Sequence, residues 1–284
     1  MSSATPRTEL DKHRAEDYTF GMDKPAASKY PIVLVHGVII KDFRFFRAFG
    51  RIEKSLRALG YRVYTADIDG FGTIESNAVQ LKQHIARILI EENADKVNVI
   101  AHSKGGLDTA YLINALGGEH CVASLTALCT PFRGSIIATK ILGLPRPLLR
   151  LVAFALNICY KIFGDKHPDA LKVCEQLAYR PTTEEPKIIH ADKLYVQSYS
   201  AVLEKKRHDF LMSIPLAFSR HFVPNDNSDG LVAESSAALG DYKGAVDGSI
   251  SHSQIVDILP GKKNKDKIIA FYSGIARDLS ERGL

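Results

Sequence analysis

Apolar positions along this chain fall into short unbroken runs that alternate with longer stretches of helical periodicity. Tyr30-Pro31-Ile32-Val33-Leu34-Val35-His36-Gly37 is a continuous apolar run closed by a glycine turn. That is the pattern of a strand covered on both faces in a parallel sheet. A helix is expected from about Phe45 to Leu59, closed by Gly60, followed by a second buried strand from Tyr61 to Ala66. From Ser76 to Asn93 the apolar residues Val79, Ile85, Ile88 and Leu89 recur at helical spacing with charges between them. Next come a strand from Val97 to Ala101, a helix of small residues from Gly105 to about Leu116, and a strand from Val122 to Cys129. A final helix, about Lys265 to Ser280, gathers Ile268, Tyr272, Ile275 and Leu279 on one face. Strand and helix in regular alternation predict an α/β fold, a mostly parallel central sheet with helices on both faces.

The alternation breaks between Ser135 and Pro186. Residues 136–163 are rich in Ile, Leu and Ala, carry only basic charges (Lys140, Arg146, Arg150, Lys161), and are interrupted by Pro145 and Pro147. Because proline breaks helices, two short helices are expected here. We read residues 136–186 as a helical cap or lid inserted within one domain that spans residues 1–284.

The 284 residues suffice for one large core. At 45% hydrophobic and 24% charged the composition is that of an ordinary soluble globular protein. The net charge of +5 is spread along the chain, so nucleic-acid binding has no footprint. Cys121, Cys129, Cys159 and Cys174 form no Cys-x-x-Cys pair and read as buried free thiols, with neither a metal site nor a disulfide framework expected. No apolar run reaches the roughly 20 residues of a bilayer span, so an integral membrane protein is not expected. Met1 to Asp17 is polar and mixed in charge, without the apolar core of a signal peptide. A cytoplasmic location is expected, the alternative being a mature secreted form.

The chemistry concentrates at Ala101-His102-Ser103-Lys104-Gly105-Gly106. A serine hydroxyl needs a base to become a nucleophile, and a sharp strand-to-helix turn presents it best. Such a turn tolerates only small residues two places before and after the serine, here Ala101 and Gly105. The competing reading of Ser103 is a plain helix N-cap. The backbone N–H of Lys104 would be one oxyanion donor, and that of Val38, after His36-Gly37, the second. In this architecture the acid and then the base follow the serine in sequence. His252, in the polar loop Gly248 to Ser253, is the candidate base. Asp229, before Gly230-Leu231-Val232, is the preferred acid, with Asp226 the alternative, since Asp is also common in ordinary turns.

The strand ending at Gly37, the elbow His102 to Gly106, the loop Thr130 to Ser135 and the turn Asp229 to Val232 resemble the bacterial triacylglycerol lipases of the α/β-hydrolase superfamily. The similarity runs from about Tyr30 to His252 and is weakest in the insertion. It implies Ser103 as nucleophile, Asp229 as acid, His252 as base, oxyanion amides at Val38 and Lys104, and Arg133 as a hydrogen-bonding anchor. It also implies a lipase or esterase acting on acylglycerols or similar lipophilic esters, with no cofactor. The basic residues spaced through the apolar insertion suit a cap whose inner face contacts an acyl chain and whose outer face touches a lipid interface, a packed helical cap with no lipid role being the alternative. The alternatives are an acyltransferase or thioesterase using the same triad, or a non-catalytic lipid-binding protein. Two departures stand out. Lys104 occupies a place where the family has an uncharged residue, and its side chain would either attract anionic substrates or reach solvent. Gln254 stands where many secreted members have a calcium-binding carboxylate, so calcium is not expected.

Overall fold

The computed structural model describes residues 28–38, 47–179, 187–188, 192–204, 209, 212–222, 225–260 and 264–284. Its centre is a six-stranded sheet, parallel throughout, built from β1 (Ile32–Val35), β2 (Val63–Thr65), β3 (Val97–His102), β4 (Val122–Leu128), β5 (Tyr195–Val202) and β6 (Asp241–Ser249) in the order β2-β1-β3-β4-β5-β6. In a strand, successive side chains point to opposite faces. Ile32 and Leu34 of β1 therefore enter one core with α1 (Ile52–Ala58) and the last helix, α9 (Lys265–Glu281). Val33 and Val35 enter a second core with α2 (Ile74–Glu92) and α3 (Lys104–Ala115). Both faces are covered, which is why β1 reads as an unbroken apolar run and why β3 and β4 are buried at every position, the Ser124 hydroxyl of β4 donating to Asn98 Oδ1 of β3 at 2.7 Å.

Several boundaries differ from expectation. The helix expected from Phe45 begins only at Ile52; Phe45 and Phe46 lie outside the described residues, and Gly50 adopts φ +45° in the turn that precedes the helix. The second strand shortens to three residues. In α2 the inward face is Asn77, Ala78, Leu81, Ile85 and Ile88, whereas Val79 points to solvent. Strands β5 and β6 have no apolar run. Gln197, Ser198 and Ser200 of β5 are buried, and their side chains bond to Thr126 Oγ1 (2.9 Å), the Leu239 carbonyl (2.7 Å) and the Tyr242 hydroxyl (2.8 Å). Buried polar groups are tolerated when bonded in this way. Strand β6 sits at the sheet edge, half open to solvent.

Residues 136–163 hold two helices divided at Pro145, as expected, α4 (Ile136–Leu142) and the longer α5 (Arg146–Ile162), and a third, α6 (Ala170–Leu177), follows them. Pro145 caps α5 and Pro147 lies in its first turn, where the missing N–H costs nothing. Among the cysteines only Cys129 is buried; Cys121, Cys159 and Cys174 are half-buried, and all four are free. After β5 come α7 (Ser213–Phe222) and the short α8 (Glu234–Ala237).

Two buried aspartates tie the α5–α6 connection to the loop after β2. Asp69 accepts the backbone N–H groups of Lys166 and His167, each at 2.8 Å. Asp165 in return accepts those of Gly70 (3.0 Å) and Phe71 (2.8 Å). Charged acceptors make such bonds worth about 1.5–3 kcal/mol each. Asp165→Ala is therefore expected to lower the unfolding free energy by about 2–4 kcal/mol and to speed amide exchange at Gly70 and Phe71 selectively. Exchange there unchanged from wild type would show that the strap does not hold this loop.

Candidate active site

Ser103 sits between β3 and α3 with φ +54° and ψ −129°, a strained conformation for a residue with a side chain. The turn is held by Ser103 N–H donating to the Leu128 carbonyl at 2.9 Å. It is also held by the tight approach of its neighbours. A Cβ on Gly37 would lie 2.6 Å from Ser103 Cβ, and one on Gly105 would lie 2.5 Å from the His36 carbonyl. Only glycine lets the end of β1, the elbow and the first turn of α3 come this close.

Residues distant in sequence meet at the hydroxyl. His252 Nε2 lies 2.8 Å from Ser103 Oγ, and His252 Nδ1 lies 2.6 Å from Asp229 Oδ2. The other carboxylate oxygen of Asp229 accepts the N–H groups of Leu231 (2.9 Å) and Val232 (2.8 Å), while the His252 N–H donates to the Asp229 carbonyl (3.0 Å). All three side chains are buried. Asp226 is elsewhere, its carboxylate accepting from the Ser235 backbone and hydroxyl. Val38 shares a cavity with Ser103 and His252. The Lys104 amide lies in the first turn of α3, where helix N–H groups have no intrahelical acceptor.

The Lys104 side chain neither reaches solvent nor faces substrate, against both expectations. It is fully buried, with Nζ 2.8 and 2.9 Å from the two oxygens of Asp108 one turn along α3. Asp108 also accepts from Asn77 Nδ2 at 3.1 Å. Burial pushes the Asp108 carboxyl up to about 6, against the pull of Lys104. The spacing of Lys104 and Asp108, four apart on a helix, was visible in the sequence; their burial was not.

Other neighbours of the site carried no sequence signal. The His102 ring lies 4.5 Å from that of His252, and burial, reinforced by His252, holds its pKa well below the usual 6.5. A neutral His102 leaves room for a positive charge to form on His252. The Cys129 thiol lies within 4.8 Å of the Asp229 carboxylate and is pushed well above its ordinary value by burial and by that carboxylate. Asp209 Oδ2 accepts from the hydroxyls of both residues flanking His252, Ser251 (2.5 Å) and Ser253 (2.8 Å), so one carboxylate steadies the histidine loop from either side. Gln254 Oε1 accepts from Asn264 Nδ2 (3.2 Å) and, weakly, from the Ser251 N–H (3.4 Å). Arg133 Nη1 reaches the carbonyls of Ser235 (2.8 Å) and Ala238 (2.9 Å), tying the loop after β4 to the one before β6.

The cavity over Ser103 has a volume of about 240 Å³ and mostly apolar walls, among them Phe71, Ile137, Ile141, Val173 and Leu177. A larger one of about 400 Å³ beside α1 is lined by Arg47, Arg51, Glu53, Lys54, Arg57 and Thr65 and does not reach Ser103 or His252.

A parallel sheet, a strained serine at a strand-to-helix turn and a histidine on its hydroxyl define a serine hydrolase of the α/β-hydrolase class. No protein-family model matches the chain. Among curated proteins it is 28% identical over 257 residues to "Triacylglycerol lipase 2" of Saccharomyces cerevisiae, covering 82% of this chain and 73% of that one. It is 37% identical over 123 residues to a triacylglycerol lipase of Pseudarthrobacter phenanthrenivorans, covering 41% of this chain and only 37% of the relative. Among solved structures it superposes on a metagenomic carboxyl esterase (TM-score 0.69, 17% identity, 93% of this chain and 80% of that one) and on Staphylococcus hyicus lipase (TM-score 0.61, 16% identity, 91% and 97%). The chain is a lipase-like α/β-hydrolase, a serine hydrolase of carboxylic esters.

Two consequences can be measured. Lys104→Met leaves a buried carboxylate without its cation and is expected to cost about 3–5 kcal/mol in denaturant unfolding. The double variant Lys104→Met, Asp108→Leu is expected to recover most of that loss; failure to recover would show that the charges are needed for more than each other. The second consequence concerns pH. Unfolded, His102 binds a proton near pH 6.5, whereas folded it stays neutral. Stability is therefore full above that pH and lost as pH falls through it. His84, lowered by burial and Arg87, adds to the slope. His102→Leu is expected to flatten the loss between pH 7 and 5 without abolishing it, as read from unfolding curves at each pH.

Proposed function

We propose that this protein hydrolyses lipophilic carboxylic esters, acylglycerols among them, through an acyl-enzyme on Ser103. The observation that carries this reading is the unbroken line Asp229–His252–Ser103 at the floor of an apolar cavity. His252 Nε2 takes the Ser103 proton as Oγ attacks the ester carbonyl. The resulting oxyanion is met by the N–H groups of Val38 and Lys104, each donor worth about 2.7–4 kcal/mol. Asp229 holds Nδ1–H of His252 and balances its positive charge. The tetrahedral intermediate then expels the alcohol with the proton from His252. Water, deprotonated by His252, attacks the acyl-enzyme and releases the carboxylic acid and free Ser103. Every proton is carried by His252, and no cofactor takes part.

The insertion of residues 136–186 acts as the cap of a single hydrolase domain; residues 180–186 lie outside the described residues. Its helices α4 and α6 supply Ile137, Ile141, Val173 and Leu177 as the wall an acyl chain would lie against. Through the cap the enzyme makes transient contact with the lipid that holds its substrate. The names of the curated relatives favour acylglycerols as that substrate.

A fluorophosphonate probe is expected to label the wild type and not Ser103→Ala. On nitrophenyl esters Asp229→Asn is expected to lower kcat by about 10⁴, while Asp226→Asn leaves it near wild type. Activity should extend to medium and long acyl chains. Turnover confined to acetate would remove the acylglycerol reading, and equal labelling of wild type and Ser103→Ala would remove the enzyme reading. Faster product formation on adding alcohols, with transfer to them, would favour an acyltransferase on the same residues.

A further inference from the structure

The base and acid of the site share their neighbourhood with a third donor that ester hydrolysis does not use. Cys129 Sγ, a carboxylate oxygen of Asp229 and a ring nitrogen of His252 all lie within 4.8 Å of one another, and all three residues are buried. Thiolate, carboxylate and imidazole are the donor types that bind zinc. Among the described residues this is the one group of three or more such donors, and Cys121, Cys159 and Cys174 belong to none. Cys129 is also held in an unusual way. It follows the last residue of β4 at φ +49°, a backbone region seldom entered by a residue with a side chain, and its N–H donates to the Tyr199 carbonyl at 2.9 Å. The sheet therefore fixes the thiol beside the acid rather than leaving it to pack freely in the core.

We propose that Cys129, Asp229 and His252 form a binding site for a thiophilic divalent cation, zinc or cadmium, whose occupancy switches the enzyme off. His252 Nδ1 lies 2.6 Å from Asp229 Oδ2, and the ion takes the place of the proton between them. A tetrahedral zinc with bonds of about 2.0–2.3 Å sets its donors roughly 3.3–3.7 Å apart, so side-chain shifts on the order of 1 Å complete the site. Entry is from the cavity over Ser103, which His252 lines. Binding breaks the S–H bond of Cys129 and sends that proton to solvent. Thiolate and carboxylate together then neutralise the ion, so no net charge is left in the buried site. The thiolate selects zinc and cadmium over magnesium and calcium, which take oxygen donors. With Nδ1 bound to metal, the imidazole keeps its one proton on Nε2. His252 then presents an N–H to Ser103 Oγ where a lone pair is needed, and it cannot take the serine proton. The loss of activity rests on the hydrolase reading; the binding of the ion does not.

The test titrates the full chain with cadmium, whose bond to a thiolate gives an ultraviolet charge-transfer band. The band is expected to saturate, to be lost with Cys129→Ser, and to persist when Cys121, Cys159 and Cys174 are all replaced by serine. That triple variant holds Cys129 as its only thiol, so it decides the question even without a folded Cys129→Ser protein. On nitrophenyl esters zinc should inhibit the wild type and a chelator should restore the rate. Magnesium and calcium at the same concentration should leave the rate unchanged. Each Cys129 variant is compared with its own metal-free rate. Cys129→Ser and Cys129→Ala should need at least about a hundredfold more zinc for half inhibition, the upper end of what losing a residue that only orients a ligand costs. No band in the triple variant, or an unchanged band in Cys129→Ser, overturns the proposal. So does zinc inhibition with the same midpoint in wild type and both Cys129 variants. A wild type inert to esters, with the cadmium band intact, would remove the hydrolase reading and leave the metal site standing.

Discussion

The strained turn at Ser103 is the constraint around which the other features of the site are arranged. A side-chain residue at φ +54° persists only when its surroundings over-determine it. Here they do so by crowding. The end of β1, the start of α3 and the end of β4 meet the elbow at distances that only Gly37 and Gly105 permit. The same crowding aims the hydroxyl at the loops after the carboxyl ends of the strands, where His252 and Asp229 lie.

Just behind the elbow the protein places a full ion pair in its interior. Lys104 and Asp108 are paired and further bonded to Asn77, which itself donates to the Asp69 carbonyl at 2.7 Å. Asp69 in turn holds the α5–α6 connection. A continuous set of hydrogen bonds, most of them to a carboxylate, thus runs from the first turn of α3 to the base of the inserted helices. Such networks confer geometry more than stability, since an apolar filling of the same volume often does as well energetically. Their effect here is to register the cavity wall, through Phe71 and α6, against Ser103.

How legible was this in the sequence? Strands β1, β3 and β4, the elbow serine and the final helix were readable because two-sided burial leaves apolar or mostly apolar runs, with Asn98, Ser124 and Thr126 the polar members in β3 and β4, and one-sided burial leaves helical repeats. Strands β5 and β6 were hidden. One satisfies its buried polar residues with cross-strand side-chain bonds, and the other lies at an edge, so neither obeys the run-length rule. The prolines of the insertion marked the division between α4 and α5, since proline is excluded from a helix interior but compatible with a first turn. The sequence preferred Asp229 over Asp226 as the acid from its place before Gly230-Leu231-Val232; the fold sets Asp229 against the imidazole and turns Asp226 toward Ser235.

What the sequence determined by itself was local: periodicities, a small-residue turn and an order of candidate residues, all set by backbone sterics and nearest neighbours. What only the tertiary structure decided was environment. Whether Lys104 is a surface cation or half of a buried pair, and whether Asp209 matters to a histidine 43 residues on, depends on which segments pack together. So does whether the apolar side of α5 faces core or solvent. Burial sets the strength of a charge and the meaning of an apolar stripe, and burial is a property of the assembled fold.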